Sequence, residues 1–502
     1  MQELLNRFDK QILGVLSCFD RVVLNGTVPR LGYAKGMTSW LYEHHVRIFD
    51  YPKWAEQLRN KVRANAERIA KEHDIGIEFV AKSTFSKEAL VKKVIEKRGA
   101  HPGLVHILSA MEGCQSYRPW FDKKTGKSFL TWKSAQCLHY YFYFIDEVLG
   151  LCYVRVPTWA PFRLQIYYNG HNVLARKLDA AGIGYRMVDN AFADIDDFAA
   201  AQLLAHDLET KELHGILNGY AKRYCPVIEE LGLHYYWSIK QIEYATDIVF
   251  KRREDLAPLY EVISRTAVHA VKARDVATFL GHSLANYKGE VCNRFNTRLE
   301  GTRIKHHMGA AAIKMYDKQG IMIRVETTAN DVSFFKHHRK VDHRDGTSSY
   351  KLAPVRKNIY SLDDLTALLG AANRRYLAFI DDLIDPAAGV KKLRKVVQPA
   401  TCNGRRYRGF NFFSDNDLEL FHAMLSGEHT ISGFRNRDLR RRLGHQSSGQ
   451  ISRLLKSLRL HGLIKRIGRT YKYYLTKLGR SAILTGLKLR ELVVIPELAV
   501  DL

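Results

Sequence analysis

Paired cysteines are missing from this chain. Its seven cysteines, at 18, 114, 137, 152, 225, 292 and 402, are odd in number, scattered and never spaced C-x-x-C. That excludes a zinc ribbon and a disulfide framework and fits buried thiols in a reducing compartment. No apolar run is long enough to cross a bilayer. The opening "MQELLNRFDKQILGVLSCFDRVVLNG" interrupts its apolar residues with Arg and Asp, unlike a signal peptide. The expectation is a cytoplasmic protein with no membrane partner. Proline is scarce, 12 in 502 residues, and a 46% hydrophobic content excludes a disordered chain. Gly-rich P-loop, G-x-S-x-G and H-E-x-x-H patterns are absent, and "GIGY" at 182–185 lacks the glycines of a dinucleotide site.

Acidic residues are also short. The formal net charge is +26, and from Ile431 to Arg490 there are 16 Lys and Arg against one acid, Asp438. Solubility needs charge but not charge of one sign, so a polyanionic partner is expected, DNA first and RNA as the alternative. An anionic membrane surface fits poorly, because no basic amphipathic helix stands apart from a core.

The same basic stretch has helical and hairpin periodicity. Ser414 with Asp417 starts a helix that buries Leu418, Phe421 and Leu425, and Asn436 is expected to cap a second, short helix ended by Gly444. A third helix buries Ile451, Leu454, Leu455 and Leu458 and turns Gln450, Ser452, Arg453 and Lys456 outward. Strands at Leu463–Ile467 and Tyr471–Leu475, joined by Gly468, Arg469 and Thr470, make a basic hairpin. In "SRLLKSLRLHGLIKRIGRTYKYYLTKLGR" this resembles the winged helix-turn-helix domains of MarR-type bacterial regulators, over about the last fifth of the chain. The resemblance implies DNA binding by Gln446, Ser447, Ser448, Gln450, Arg453, Lys456, Arg466, Arg469 and Lys472. Use of the module as a protein or homodimer contact is the alternative.

The fold class expected is α+β and multidomain. It comprises an N-terminal α/β lobe (1–190), a helical region (191–297), a second sheet lobe with a helix (298–385), a basic linker (386–411) and the winged helix (412–502). In the first lobe, 75–110 reads as strand, helix, strand, and 120–130 as a hairpin with Gly126 near its tip. The aromatic strand "LHYYFYFIDE" at 138–147, with Arg155 and Arg163 on neighbouring segments, is core in its ordinary reading and a base-stacking surface in the other. "QIEYATDIVF" at 241–250 reads as helix, and Ser361 with Asp364 as a capping box. Arg324 lies 161 positions after Arg163, and Asn330 the same distance after Asn169, a weak sign of a duplicated strand-strand-helix unit.

For chemistry, Glu300, Asp317 and Glu326 fall on strand-like segments near His306 and His307. Carboxylates and an imidazole can hold Mg2+ or Mn2+ for phosphodiester cleavage, and Tyr316 could act as nucleophile. "KMYDK" and "IRVETT" resemble strands of phage and plasmid rolling-circle replication initiators, which implies a metal-dependent nickase. The His-hydrophobic-His motif of those initiators is missing, since His306 and His307 are adjacent. The favoured reading is not enzymatic: the carboxylates pair with Arg298, Arg303, Lys314 and Arg324 inside a basic sheet.

Overall fold

The computed structural model describes every residue except 1, 83, 208–209, 285–286, 299–300, 385, 426–432, 445, 469 and 501–502. The chain divides into two compact units, 1–381 and 382–502, in place of the five segments expected.

One mixed sheet of eleven strands runs through the first unit. Its members are β1 (Ile12–Thr27), β2 (Ile77–Phe79), β3 (Gly103–Asp122), β4 (Lys127–Asp146), β5 (Gly150–Pro157), β6 (Leu164–Tyr168), β9 (Tyr236–Phe250), β10 (Val291–Arg298), β11 (Gly301–Met308), β12 (Ala311–Lys318) and β13 (Met322–Ala329). A small hairpin, β7 (Tyr185–Met187) and β8 (Phe192–Ile195), interrupts the numbering, and a second, β14 (Lys336–Asp342) and β15 (Ser348–Pro354), follows it. The spatial order is β10-β11-β12-β13-β9-β1-β6-β5-β4-β3-β2. The two lobes expected from sequence are therefore halves of one sheet, joined at the antiparallel pair β1 and β9.

Both halves trace the same path. β1 is followed by helices and by the antiparallel meander β3–β6, whose last strand returns to pair with it; β9 is followed by helices and the meander β10–β13, whose last strand returns likewise. β5 and β12 stand 161 positions apart at both ends, and Leu164 pairs with Gly26 as Val325 pairs with Thr246.

The helices used below are α1 (Tyr51–Glu72), α2 (Lys87–Arg98), α3 (Gly170–Ala181), α4 (Phe198–His206), α5 (Arg253–Ala270), α6 (Ala273–Phe279) and α7 (Leu362–Ile384). α1 buries Leu58, Val62, Ala66 and Ile69 at helical spacing, and the Ser86 hydroxyl caps α2 by accepting from Ala89 N at 3.2 Å. α3 and α4 cover one sheet face, where Leu174, Leu178 and Ala201 meet Leu16 and Cys18. α7 lies on the other. Its Asn373 donates to the Tyr244 carbonyl (3.0 Å) and Thr246 Oγ1 (3.1 Å) and accepts from Thr327 Oγ1 (2.6 Å), all buried.

Three local expectations give way here. Residues 241–250 are the later part of β9 and not a helix. Tyr244 to Phe250 are buried without a break because both faces are covered, and a strand so placed loses the alternation that betrays it. The Ser361 and Asp364 box does not form: Ser361 Oγ donates to Asn358, and Asp364 lies 3.3 Å from His337. The aromatic strand is core, with Phe142 and Phe144 stacked on Tyr224, which removes the base-stacking reading.

The second unit comprises α8 (Pro386–Val397), the hairpin β16 (Ala400–Cys402) and β17 (Arg405–Tyr407), α9 (Asp415–Leu425), α10 (Asn436–Leu443), α11 (Ser448–Leu460), the hairpin β18 (Ile464–Arg466) and β19 (Tyr473–Leu475), and α12 (Lys477–Leu489). Phe434 makes an isolated antiparallel bridge to Tyr473 of β19. Val396 and Phe410 are buried in the same core as Phe421, Leu439, Ile451 and Leu458, so 386–411 is an integral part of this unit and not a linker. Burial of each such side chain contributes roughly 1.5–3 kcal/mol.

Asn436 is not the cap of α10. Asp438 closes that turn by accepting from Arg435 N (2.8 Å), while Asn436 Nδ2 donates to the Ser448 carbonyl (2.9 Å) and Ser452 Oγ (2.8 Å), which ties α10 to α11. At the start of α9, Asp417 turns to Arg408 (2.6 and 2.8 Å) and Asn411 N (2.9 Å).

Candidate functional site

Two charged constellations stand out, one buried on the sheet and one exposed on the second unit. On the sheet, β13 sends Arg324 and Glu326 to the same face, because side chains two apart on a strand point together. Register places Asp247 of β9 opposite Arg324, and Lys314 of β12 opposite Glu326.

Arg324 is fully buried. Its Nε and Nη2 donate to the two Asp247 oxygens (2.7 and 2.6 Å), Nη1 reaches Asp20 Oδ1 (3.3 Å), and Nη2 also donates to His171 Nε2 (3.0 Å) and the Asn190 carbonyl (3.1 Å). His171 Nδ1 lies 3.2 Å from Asp20 Oδ1. The amides of Asn169 and Asn190 donate to the same Asp20 oxygen (3.2 and 2.7 Å). Burial alone would raise the Asp20 carboxyl, but the His171 contact and the Arg324 charge outweigh it and hold it well below the usual range. Asp247, buried too and held by Arg324, is lowered to about 2.

Glu326 completes the cluster. Tyr316 donates to its Oε2 (3.0 Å), and Lys314 Nζ donates to its Oε1 (2.6 Å) and to Glu243 Oε1 (2.9 Å), which also accepts from Thr328 (3.0 Å). Burial, opposed by Lys314 and reinforced by Glu243 and Asp20, raises the Glu326 carboxyl. Burial and then the Glu326 charge push the Tyr316 phenol upward, so it is a proton-holding donor and a poor nucleophile.

Asp20, Glu243 and Glu326 each bring one oxygen within 4.8 Å of the others, an all-oxygen set of the kind Mg2+ or Mn2+ takes. Lys314 already lies between Glu243 and Glu326, at 2.9 and 2.6 Å, and supplies the positive charge that a divalent ion would bring. A metal does not fit this donor set while that ammonium holds its place. The cluster sets the carboxylates of Asp20, Glu243, Asp247 and Glu326 around Lys314 and Arg324.

The candidate catalytic residues are not one constellation. Tyr316 and Glu326 meet. Asp317 is on the opposite face, its Oδ1 accepting from Gly320 N (2.9 Å) in the turn to β13. His306 is buried on the α7 side, bonded to Asn293 (2.8 Å) and the Tyr376 hydroxyl (3.1 Å), and is pushed down to about 4 by burial. Glu300 lies outside the described residues. Sequence reasoning missed Asp20, Glu243, Asp247 and His171. The even spacing of 243 and 247 would have placed both on one strand face had 241–250 been read as a strand.

The second constellation is built on α11. Ser447 Oγ accepts from Gln450 N (3.3 Å) and Gln450 Oε1 accepts from Ser447 N (2.7 Å), a reciprocal cap that fixes the helix start. Ser448 Oγ donates to Asn436 (3.3 Å). Ile451, Leu455 and Leu458 are buried, Leu454 is partly so, and Ser452, Arg453, Lys456 and Arg459 are exposed along the other side. Lys456 Nζ stands 5.5 Å from the Tyr407 ring of the β16–β17 hairpin, whose Arg405 and Arg406 are exposed. Lys465 and Arg466 are exposed on β18, and Lys472 lies 5.8 Å from the Tyr474 ring.

No family model, curated protein or solved structure matches this chain. The geometry above carries the functional argument.

Among the described residues of the second unit, the ion pairs are Arg408 with Asp417, Arg437 with Asp438 and His422 with Glu491. Arg440, Arg441, Arg453, Lys456, Arg459, Lys465 and Arg466 have no carboxylate partner there. Of the residues expected to touch nucleic acid, Ser447, Ser448 and Gln450 are exposed but engaged in the cap, Gln446 and Lys472 are half-buried, and Arg453, Lys456 and Arg466 are exposed. Arg469 lies outside the described residues.

Proposed function

We propose that this protein binds nucleic acid, and duplex DNA in particular, through the second unit. The observation that carries the reading is that the exposed Arg440, Arg441, Arg453, Lys456, Arg459, Lys465 and Arg466 have no carboxylate partner among the described residues, on a unit whose only acid between 431 and 490 is Asp438. Unpartnered positive charge on a rigid scaffold is what phosphate contacts require. The order of elements, three helices and a basic hairpin with Phe434 bridged to it, supports a winged helix-turn-helix reading with α11 as the groove-entering helix. Arg453, midway along the exposed side of α11, is the base reader, and Lys456 and Arg466 are phosphate contacts. A regulator or an origin-binding initiator of the MarR-like or replication-initiator kind would use such a unit in this way.

The shared path of the two sheet halves supports a duplicated origin for the first unit, which serves as the body that carries the reader. A binding competition among duplex DNA, single-stranded DNA and double-stranded RNA with the full chain tests the reading. Preference for duplex DNA supports it, preference for RNA replaces it with an RNA-binding role, and retention of none of the three at low salt overturns it. Magnesium-dependent nicking of supercoiled plasmid that is lost in Glu326→Ala would overturn the non-enzymatic account of the sheet.

A further inference from the structure

A cleft of about 360 Å³ opens on the β1, β3–β6 half of the sheet, lined among others by Asn25, Gln115, Ser134, Arg155, Arg163 and Gln165. Its volume is that of a small-molecule site. Among the described residues that line it there is no carboxylate, and all six of these side chains can donate hydrogen bonds.

Arg155 is already used. Its guanidinium donates to Glu112 Oε2 at 2.6 and 2.8 Å, and Glu112 also takes Tyr141 (2.6 Å) and Lys87 (2.9 Å). Arg163 is not used. Its Nε is buried with no hydrogen-bond partner, and among the described residues it enters no ion pair. A buried guanidinium nitrogen left in that state costs free energy that a bound acceptor would recover.

The other half of the sheet shows what an internal partner would look like. Val325 pairs with Thr246 as Leu164 pairs with Gly26; Arg324 precedes Val325 within β13, and Arg163 precedes Leu164 just before β6 begins. Opposite Arg324 stands Asp247, which binds it through two oxygens. On this half the β1–β6 pairing ends at Gly26–Leu164, so Arg163 lies just outside the ladder, and no carboxylate among the described residues takes the place that Asp247 holds beside Arg324. His139 lines the cleft as well and is pushed down to about 4 by burial and then by the Arg155 charge.

We propose that this cleft binds the phosphate group of a nucleotide, with Arg163 as its charged partner. A carboxylate would use fewer of the donors offered by Asn25, Gln115, Ser134 and Gln165 than a phosphate with three acceptor oxygens does. The remaining space and the Trp159 ring, which also lines the cleft, accommodate a base and sugar. The phosphate belongs either to a free mononucleotide or to the end of a polynucleotide. The proposal rests on the first unit alone and is independent of the reading of α11.

The test is calorimetric titration of the full chain with inorganic phosphate, with 5′-AMP, and with a single-stranded oligonucleotide carrying or lacking a 5′-phosphate. Binding of 5′-AMP assigns the site to free nucleotides. A gain that depends on the 5′-phosphate of the oligonucleotide, without 5′-AMP binding, assigns it to polynucleotide ends. In either case Arg163→Gln should weaken binding about tenfold or more, the worth of a charge-assisted hydrogen bond. Ser134→Asp, which sets a carboxylate on the exposed wall of the cleft, should abolish it while leaving the melting temperature unchanged. This second variant decides the matter if Arg163→Gln does not fold. Failure of every phosphate-bearing probe to bind the unaltered chain at millimolar concentration, or equal binding by Ser134→Asp, overturns the proposal.

Discussion

The sheet body and the C-terminal unit treat the same side chain in opposite ways. Arg324 is completely buried and spends its guanidinium on Asp247, Asp20, His171 and a backbone carbonyl. Arg453 stands in solvent on α11 with no acid near it among the described residues. The formal charge is identical, and the difference lies in whether the fold itself provides the counter-charge. Where it does, the arginine orders strands; where it does not, the arginine is available to a ligand. Arg163 is the instructive intermediate, set just before β6 with its Nε buried and, among the described residues, without a carboxylate.

This contrast can be broken by removing each kind of charge. The largest effect is expected for Arg324→Ala, which strands Asp247 and Asp20 as buried uncompensated carboxylates and should cost roughly 3–5 kcal/mol of stability in chemical denaturation. A loss under about 1 kcal/mol would mean that the cluster is not what holds β13 to β9 and β1.

Acid should act on the body next. Asp247 is lowered to about 2 and Asp20 is also lowered in the folded chain, so the unfolded chain binds protons first. Their stabilisation is fully present above the unfolded carboxylate range near pH 4 and is lost as pH falls toward 2, on the order of 2 kcal/mol for Asp247. Glu326 is raised and has the opposite sign: its contribution is greatest below the unfolded value and declines as pH rises through the folded one. Urea midpoints measured from pH 5 to pH 2 should fall steadily. A flat profile would contradict the assigned ion pairs.

On the C-terminal unit the effects belong in binding and not in stability. Arg453→Ala should cost about 1–3 kcal/mol toward a cognate duplex and narrow the gap between cognate and random sequence, with thermal stability within about 0.5 kcal/mol of the unaltered chain. Unchanged discrimination would show that α11 does not read bases. Smaller still, Lys456→Ala or Arg466→Ala should weaken every duplex alike and flatten the salt dependence by about one counterion each.

Legibility followed the same division. Three C-terminal helices, α9, α10 and α11, were readable because each shows one buried and one solvated side, so Ile451, Leu455 and Leu458 declared the core of α11 by spacing alone, whereas α8 and α12 were not read as helices. The β3–β6 meander was readable from its aromatic runs and the turn at Gly126. β9 was not, because its residues from Tyr244 to Phe250 are covered on both faces and show no period. With β9 misread, Glu243 and Asp247 could not be brought to Arg324 and Glu326, and β10 was not expected as a strand. Asp317 was misplaced beside Glu326 because distance along the chain does not say which face a strand residue takes. The basic stretch 386–411 looked like a linker by composition, yet Val396 and Phe410 are two well-spaced apolar residues that enter the core.

The most direct test of the claim that unpartnered cations hold a polyanion is the slope of log binding constant against log salt for a DNA duplex. It should be measured for the full chain and for the triple variant Lys456→Ala, Lys465→Ala, Arg466→Ala. A steep slope that shrinks by about three units in the triple variant is the predicted result. An unchanged slope, or affinity that ignores salt altogether, would contradict it.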